Sequence, residues 1–206
     1  FAPLGALSVN FNTVCIVVAP GAERGVPARV LIETPVGVVE VENEVETGAY
    51  RSRSRLKIER VVKRRRGLVR FSVSGSVPVG AKPMRFYRSV HDPLAYFMDV
   101  FEAALEDRGI EVSGTQEQGR SPEGLPIIAR IESDPLPPIL ARMNKHSSNF
   151  VAEQVLKALG AEVHGEPGST AKGLAVIREY LQDLGVEDEE YHLVNGSGLS
   201  RDLTLS

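Results

Sequence analysis

Hydrophobic periodicity changes character once along this chain, and that switch divides it into two unlike halves. Early apolar residues come in short β-branched runs: Val9 and Phe11 leading to Val14-Cys15-Ile16-Val17-Val18, then Val30-Leu31-Ile32, then the 36–41 segment. Ala19-Pro20-Gly21, Pro35 and Gly37 punctuate them, a pattern that predicts strands. Gly75-Ser76-Val77-Pro78-Val79-Gly80 breaks the pattern. At Asp92-Pro93 the spacing becomes helical, with Leu94, Phe97, Met98, Phe101, Ala104 and Leu105 on one stripe. Asp92 suits the N-cap, Pro93 the first helical position and Gly109 the stop. Ile110-Glu111-Val112 then predicts a short strand, and residues 114–124 are polar and turn-rich, the best linker.

Helices dominate the rest of the chain. Asp134-Pro135 repeats the cap-plus-proline start, with Leu136, Ile139, Leu140 and Met143 on one side. A second helix turns Val151, Val155, Leu156 and Leu159 inward and stops at Gly160. A third runs from about 169 to 184, carries Leu174, Ile177, Leu181 and Leu184, and ends at Gly185. Tyr191-His192-Leu193-Val194 predicts a short strand into the tight turn Asn195-Gly196-Ser197-Gly198. The fold class is α+β, with a β-rich region over 1–120 and a mainly helical one over 121–206.

Composition removes several alternatives. The chain of 206 residues is 42% hydrophobic with a net charge of −3, which excludes wholesale disorder. A single cysteine rules out an internal disulfide framework, and with four scattered histidines it leaves no zinc cage. Cys15, inside an apolar strand, reads as a small buried hydrophobe rather than a catalytic thiol. No apolar run reaches the roughly 20 residues of a membrane span. The net charge hides an asymmetry: residues 51–70 hold ten cations against Glu59, so the remainder carries −12. Leu56, Ile58, Val61 and Val62 lead into Lys63-Arg64-Arg65-Arg66-Gly67, and Leu68, Val69, Phe71 and Val73 come after it. That reads as a hairpin with charge on its turn and outer face. No aromatic interleaves the run to stack bases, which speaks against nucleic acid.

Chemistry concentrates in Met143-Asn144-Lys145-His146-Ser147-Ser148-Asn149-Phe150-Val151-Ala152-Glu153-Gln154. A polar sextet between two amphipathic helices can hold a hydroxyl and a carboxamide in fixed geometry at a cleft rim. On local residues alone, Ser147 or Ser148 is better read as the N-cap of the helix beginning near Phe150.

The surroundings reverse that preference. Asn144-Lys145-x-Ser147-x-Asn149, Ala152-Glu153, Leu156 and Leu159-Gly160 resemble the second active-site motif of the D-alanyl-D-alanine carboxypeptidase/endopeptidases, the class C low-molecular-mass penicillin-binding proteins. Gly5-Ala6-Leu7-Ser8-Val9-Asn10 resembles the start of that family's inserted β region. Asp92-Pro93 through Gly109-Ile110, with Val112-Ser113-Gly114, resembles the element closing it. Gly168-Ser169 with Gly173 is similar to the helix start after the motif. Asn195-Gly196-Ser197-Gly198-Leu199-Ser200-Arg201 resembles its Asp-Gly-Ser-Gly-Leu-Ser-Arg loop, with asparagine for aspartate. The resemblance implies a β-rich accessory insertion over 1–120. Residues 121–206 would be part of a penicillin-binding-protein/serine β-lactamase-like transpeptidase domain.

The family's chemistry uses Ser-x-x-Lys, Ser-x-Asn and Lys-Thr-Gly. A serine attacks the penultimate D-alanine carbonyl, the terminal amine leaves, and water resolves the acyl-enzyme. Carried over by position, Ser147 relays a proton toward the leaving amine and Asn149 orients the substrate peptide and the lysine. Ser148 fills the usual aspartate position, and Lys145 and His146 belong to the rim. Ser54-Arg55-Leu56-Lys57 spells Ser-x-x-Lys but sits in a strand-like segment, where serine and lysine do not share a face. Ala171-Lys172-Gly173 lies near a helix start and is not the Lys-Thr-Gly strand. The resemblance therefore puts the nucleophile motif before Phe1 and Lys-Thr-Gly after Ser206. The opening Phe1-Ala2-Pro3, without initiator methionine or signal, suits a processed or excised stretch. The resemblance further implies a periplasmic setting, no cofactor or metal, a peptidoglycan peptide substrate and inhibition by β-lactams. Partners would be the missing N- and C-terminal parts of the catalytic domain, with no nucleic acid and no transmembrane span. The rival is a non-catalytic cell-envelope module that binds an anionic polymer through the basic hairpin 51–70.

Overall fold

The computed structural model describes residues 3–34, 36–61, 68–119 and 122–205. The chain divides into two compact units, Phe1–Gln118 and Gly119–Ser206. In the first, β1 (Thr13–Ala19) lies between β2 (Arg29–Ile32) and β6 (Met84–Ser89), antiparallel to both. A second sheet has the order β3 (Val39–Gly48), β5 (Val69–Pro78), β4 (Arg55–Val61), with β5 parallel to β3 and antiparallel to β4. The inner faces of the two sheets meet in one apolar cluster. Val14, Ile16 and Val18 come from β1, Val39 and Val45 from β3, and Val69, Phe71, Val73 and Val77 from β5. Helix α1 (Pro93–Glu106) closes it with Tyr96, whose hydroxyl donates to the Thr13 carbonyl at 3.1 Å. The helix starts as its sequence dictates, with the Asp92 carboxylate accepting from the Ala95 amide at 3.1 Å.

The basic run forms a strand pair, β4 against β5, with Arg55, Lys57, Glu59 and Arg60 exposed and Leu56 and Ile58 half-buried beneath them. Its turn, Lys63-Arg64-Arg65-Arg66-Gly67, lies outside the described residues. Part of the charge is met locally. Arg70 bonds Glu40 and, at 2.8 Å, Glu42 on β3, while Lys57 pairs Glu59 at 2.8 Å. The acidic share of the chain thus supplies a partner strand, in which the exposed Glu40, Glu42, Glu44 and Glu46 alternate with the more buried Val39, Val41, Val45 and Thr47, broken only by exposed Asn43.

Several local expectations fail where a distant partner decides. Asn10, Phe11 and Asn12 are not strand but three successive left-handed residues, with φ of 50, 54 and 53°. Buried Asn12 holds them by donating to the Pro3 carbonyl and the Ser8 hydroxyl. Gly75 does not end its strand: β5 continues to Pro78, and a Cβ at Gly75 would lie 1.8 Å from the Arg55 carbonyl oxygen. Cys15 is half-buried on the face of β1 opposite the core, paired across the strand with Tyr87. Burial, then a hydrogen bond to Glu33, pushes its thiol above the ordinary range. Ile110-Glu111-Val112 forms no strand and is exposed.

The second unit is built from α2 (Leu136–His146), α3 (Asn149–His164) and α4 (Thr170–Asp183), followed by the short pair β7 (Tyr191–His192) and β8 (Thr204–Leu205). Asp134 does not cap α2 but pairs with Arg142 at 2.6 Å, and the helix starts behind Pro135. Gly160 does not stop α3. It is buried where α4 crosses, and a Cβ there would meet the Gly173 amide nitrogen at 2.5 Å. That crossing also fixes which face of α3 turns inward. The buried positions are Glu153, Leu156 and Gly160, whereas Leu159 is exposed. Ser169 caps α4, accepting from the Lys172 amide at 3.2 Å.

Candidate functional site

Two residues separate α2 from α3, and they divide the work. Ser147 ends α2 in the left-handed conformation, φ 51° and ψ 47°, with the Ser148 amide reaching back to the Met143 carbonyl at 3.0 Å. A left-handed residue at this point is usual for helix ends, but it is usually glycine. In a serine it costs about 1–2 kcal/mol. Ser148 then caps α3, its hydroxyl accepting from the Val151 amide at 3.4 Å. The cap reading therefore applies to Ser148 alone. Among the described residues neither the Ser147 hydroxyl nor the Asn149 carboxamide makes a side-chain hydrogen bond within the protein. Ser147 is exposed and Asn149, at the first position of α3, is half-buried. Lys145 and His146 are exposed in the last turn of α2, where the charge of the lysine suits the helix C-terminus.

One helical turn beyond Asn149 stands Glu153, only 7% exposed. Its carboxylate accepts from the Ser197 amide at 3.0 Å, tying the 195–198 loop to α3. The loop shapes itself: the Asn195 side-chain oxygen accepts from the Gly198 amide at 2.9 Å and the Ser197 hydroxyl at 3.4 Å. An aspartate could accept the same two bonds, so asparagine here preserves the turn. Gly196 lets the loop press on the helix, since a Cβ would lie 2.8 Å from the Ala152 carbonyl oxygen and 3.0 Å from the Leu156 Cβ. The 147–149 turn and the 195–198 loop are thus both mounted on the first two turns of α3.

Glu153 is the residue whose role sequence reasoning missed. Its signal was a carboxylate on the same helical stripe as Leu156 and Gly160, four residues after Asn149. The two look-alike motifs are structural. Ser54 precedes β4 and Lys57 lies within it, three positions apart along an extended chain and so on opposite faces. Lys172, inside α4, donates to the Gly165 and Pro167 carbonyls at 2.6 and 3.0 Å and closes the α3–α4 connection. Among the described residues no group of three His, Cys, Asp or Glu is placed to hold a metal ion. None of their helices is long and apolar enough to cross a membrane.

The whole sequence matches the D-Ala-D-Ala carboxypeptidase 3 (S13) family, residues 1–206. It is 37% identical over 187 residues to the D-alanyl-D-alanine carboxypeptidase of Actinomadura sp. (strain R39), which is 89% of this chain and 34% of that protein. To a D-alanyl-D-alanine carboxypeptidase of Haemophilus influenzae it is 30% identical over 132 residues, or 64% of this chain and 28% of the relative. The fold is similar to that of penicillin binding protein 4 from Haemophilus influenzae, crystallised with a β-lactam. The TM-score is 0.78 at 23% identity, covering 100% of this chain and 46% of that one. The chain spans about a third of the length of these curated relatives. With its full length matched to the family, the chain belongs to the D-Ala-D-Ala carboxypeptidases of the S13 type.

Proposed function

We propose that this chain supplies one wall of the active site of a penicillin-sensitive, serine-type D-Ala-D-Ala carboxypeptidase/endopeptidase acting on peptidoglycan stem peptides outside the cytoplasm. The observation that carries the reading is Ser147. A non-glycine residue is held left-handed at a helix end, exposed, while its neighbour performs the capping. Strain of that kind persists where the side chain is needed in place. In this reading the Ser147 hydroxyl relays a proton to the leaving amine, and the Asn149 carboxamide orients the peptide and the catalytic lysine. The Ser-x-x-Lys nucleophile and the Lys-Thr-Gly strand belong to parts of the domain outside these 206 residues. The exposed apolar segment before α2, with Ile128 and Ile131 at 98% and 97% exposure, supports a larger surrounding domain.

Two expected results test this. A fluorescent penicillin leaves the 206-residue chain unlabelled; stoichiometric labelling would mean a serine within it, such as Ser54, is a competent nucleophile. In a protein carrying the complete catalytic domain, Ser147→Ala slows acylation at least tenfold with an unchanged melting temperature. Ser148→Ala does the reverse, lowering stability by about 1 kcal/mol as cap loss does. Normal acylation with a destabilised Ser147→Ala variant would return Ser147 to a purely structural role.

A further inference from the structure

A cleft of about 570 Å³ opens on the first unit at one end of the β3–β5–β4 sheet. Three arginines from two separate segments line it: Arg24, in the segment bonded to β3, and Arg53 with Arg55, leading into β4. Ser52 and Ser76 add hydroxyls, and Glu46 is the acid in the lining. Among the described residues none of the three guanidinium groups has a carboxylate partner within ion-pair distance, whereas Arg70, Arg85 and Arg142 each have one.

The walls are held before any ligand arrives. The Gly25 amide donates to the Thr47 carbonyl at 2.8 Å and the Thr47 amide to Val26 at 2.9 Å, locking the Arg24 segment to β3. In the second segment, the Ser52 amide and hydroxyl donate to the Ala49 carbonyl at 3.1 and 2.7 Å, and Arg55 is in register with Ser76. Fixed walls reduce the ordering entropy that binding must overcome.

We infer that this cleft binds a polymer bearing repeated phosphodiester groups. An open, solvated site gains little from one small anion, because exposed ion pairs are weak. A chain with a charge on every repeat engages several arginines at once. Arginine keeps its charge and meets phosphate oxygens through a planar fork of donors, so three guanidinium groups without carboxylate partners suit a phosphate on every repeat. The site is independent of the acylation chemistry of the Ser147 wall and adds a holding function to it.

The test is fluorescence anisotropy of labelled inorganic polyphosphate with the full 206-residue chain at low salt. Combined Arg24→Gln, Arg53→Gln and Arg55→Gln weakens binding at least tenfold and flattens the slope of log affinity against log salt by about 2–3. A control set removes three charges elsewhere: Arg108→Gln, Arg130→Gln and Arg201→Gln. It leaves affinity within about threefold. Circular dichroism checks that every variant folds, and Arg53→Gln alone is expected to retain part of the loss. Three results overturn the inference: no wild-type binding, equal loss in the control set, or equally tight binding of poly-glutamate.

Discussion

Gly173→Val is expected to lower the unfolding free energy of the second unit by about 3 kcal/mol or more. At Gly173 an added Cβ would lie 2.1 Å from the Leu156 carbonyl oxygen and 2.7 Å from its Cγ. Overpacking against adaptable side chains costs about 1–3 kcal/mol. Here the obstacle is main chain, which no rotamer change relieves, so α4 must move off α3. Gly160 and Gly168 face the same crossing, at 2.5 Å from the Gly173 amide nitrogen and 2.2 Å from the Lys157 carbonyl oxygen. The matched control is Ala171→Val on the exposed face of the same helix, which should change stability by about 0.5 kcal/mol through helix propensity alone. Urea denaturation followed by far-ultraviolet circular dichroism compares them. Equal midpoints for the two variants would mean the helices do not cross so closely. Because α3 also carries the 147–149 turn, Gly173→Val should depress acylation in a protein with the complete site.

That dependence explains what could be read from the residues alone. Asp92 was legible as a cap, because the amide it binds lies three residues away; Ser169 was legible only as the start of its helix, where the structure makes it the cap. Asp134 looked like Asp92 and was not a cap; Arg142, eight residues on, offered a better partner. Gly160 looked like a stop because a glycine in a helix weakens it locally, yet the contact that requires it comes from α4. Gly75 misled in the same way, its reason being the Arg55 backbone on a neighbouring strand. Four of the family landmarks, Gly160, Gly168, Gly173 and Gly196, prove to be places where one backbone meets another. The pattern was readable as a resemblance long before its cause was visible, since close approach leaves a glycine in the sequence but not the identity of what approaches. For Ser147 the motif marked the residue, while its left-handed backbone could come only from the two-residue connection between α2 and α3.

Glu153→Ala is expected to free the 195–198 loop from α3. The variant removes the acceptor of the Ser197 amide, a bond to a charged group of the kind worth about 1.5–3 kcal/mol. Unlike Gly173→Val, it leaves the α3–α4 crossing intact, so the helices should persist while the loop loosens. Amide hydrogen exchange separates these: Ser197 exchanges faster, and amides of α4 keep their protection. Glu153→Gln retains a carbonyl acceptor of the same reach and should restore most of the protection at Ser197. In the site proposed above, the loosened loop moves one support of the wall that bears Asn149. A loss of about 1.4 kcal/mol in positioning would slow acylation about tenfold. The glutamine variant should recover that rate, which a residue needed only for helix stability would not require. Unchanged exchange at Ser197 in Glu153→Ala would show that the loop is held by Gly196 packing on Ala152 and Leu156, with Glu153 an onlooker.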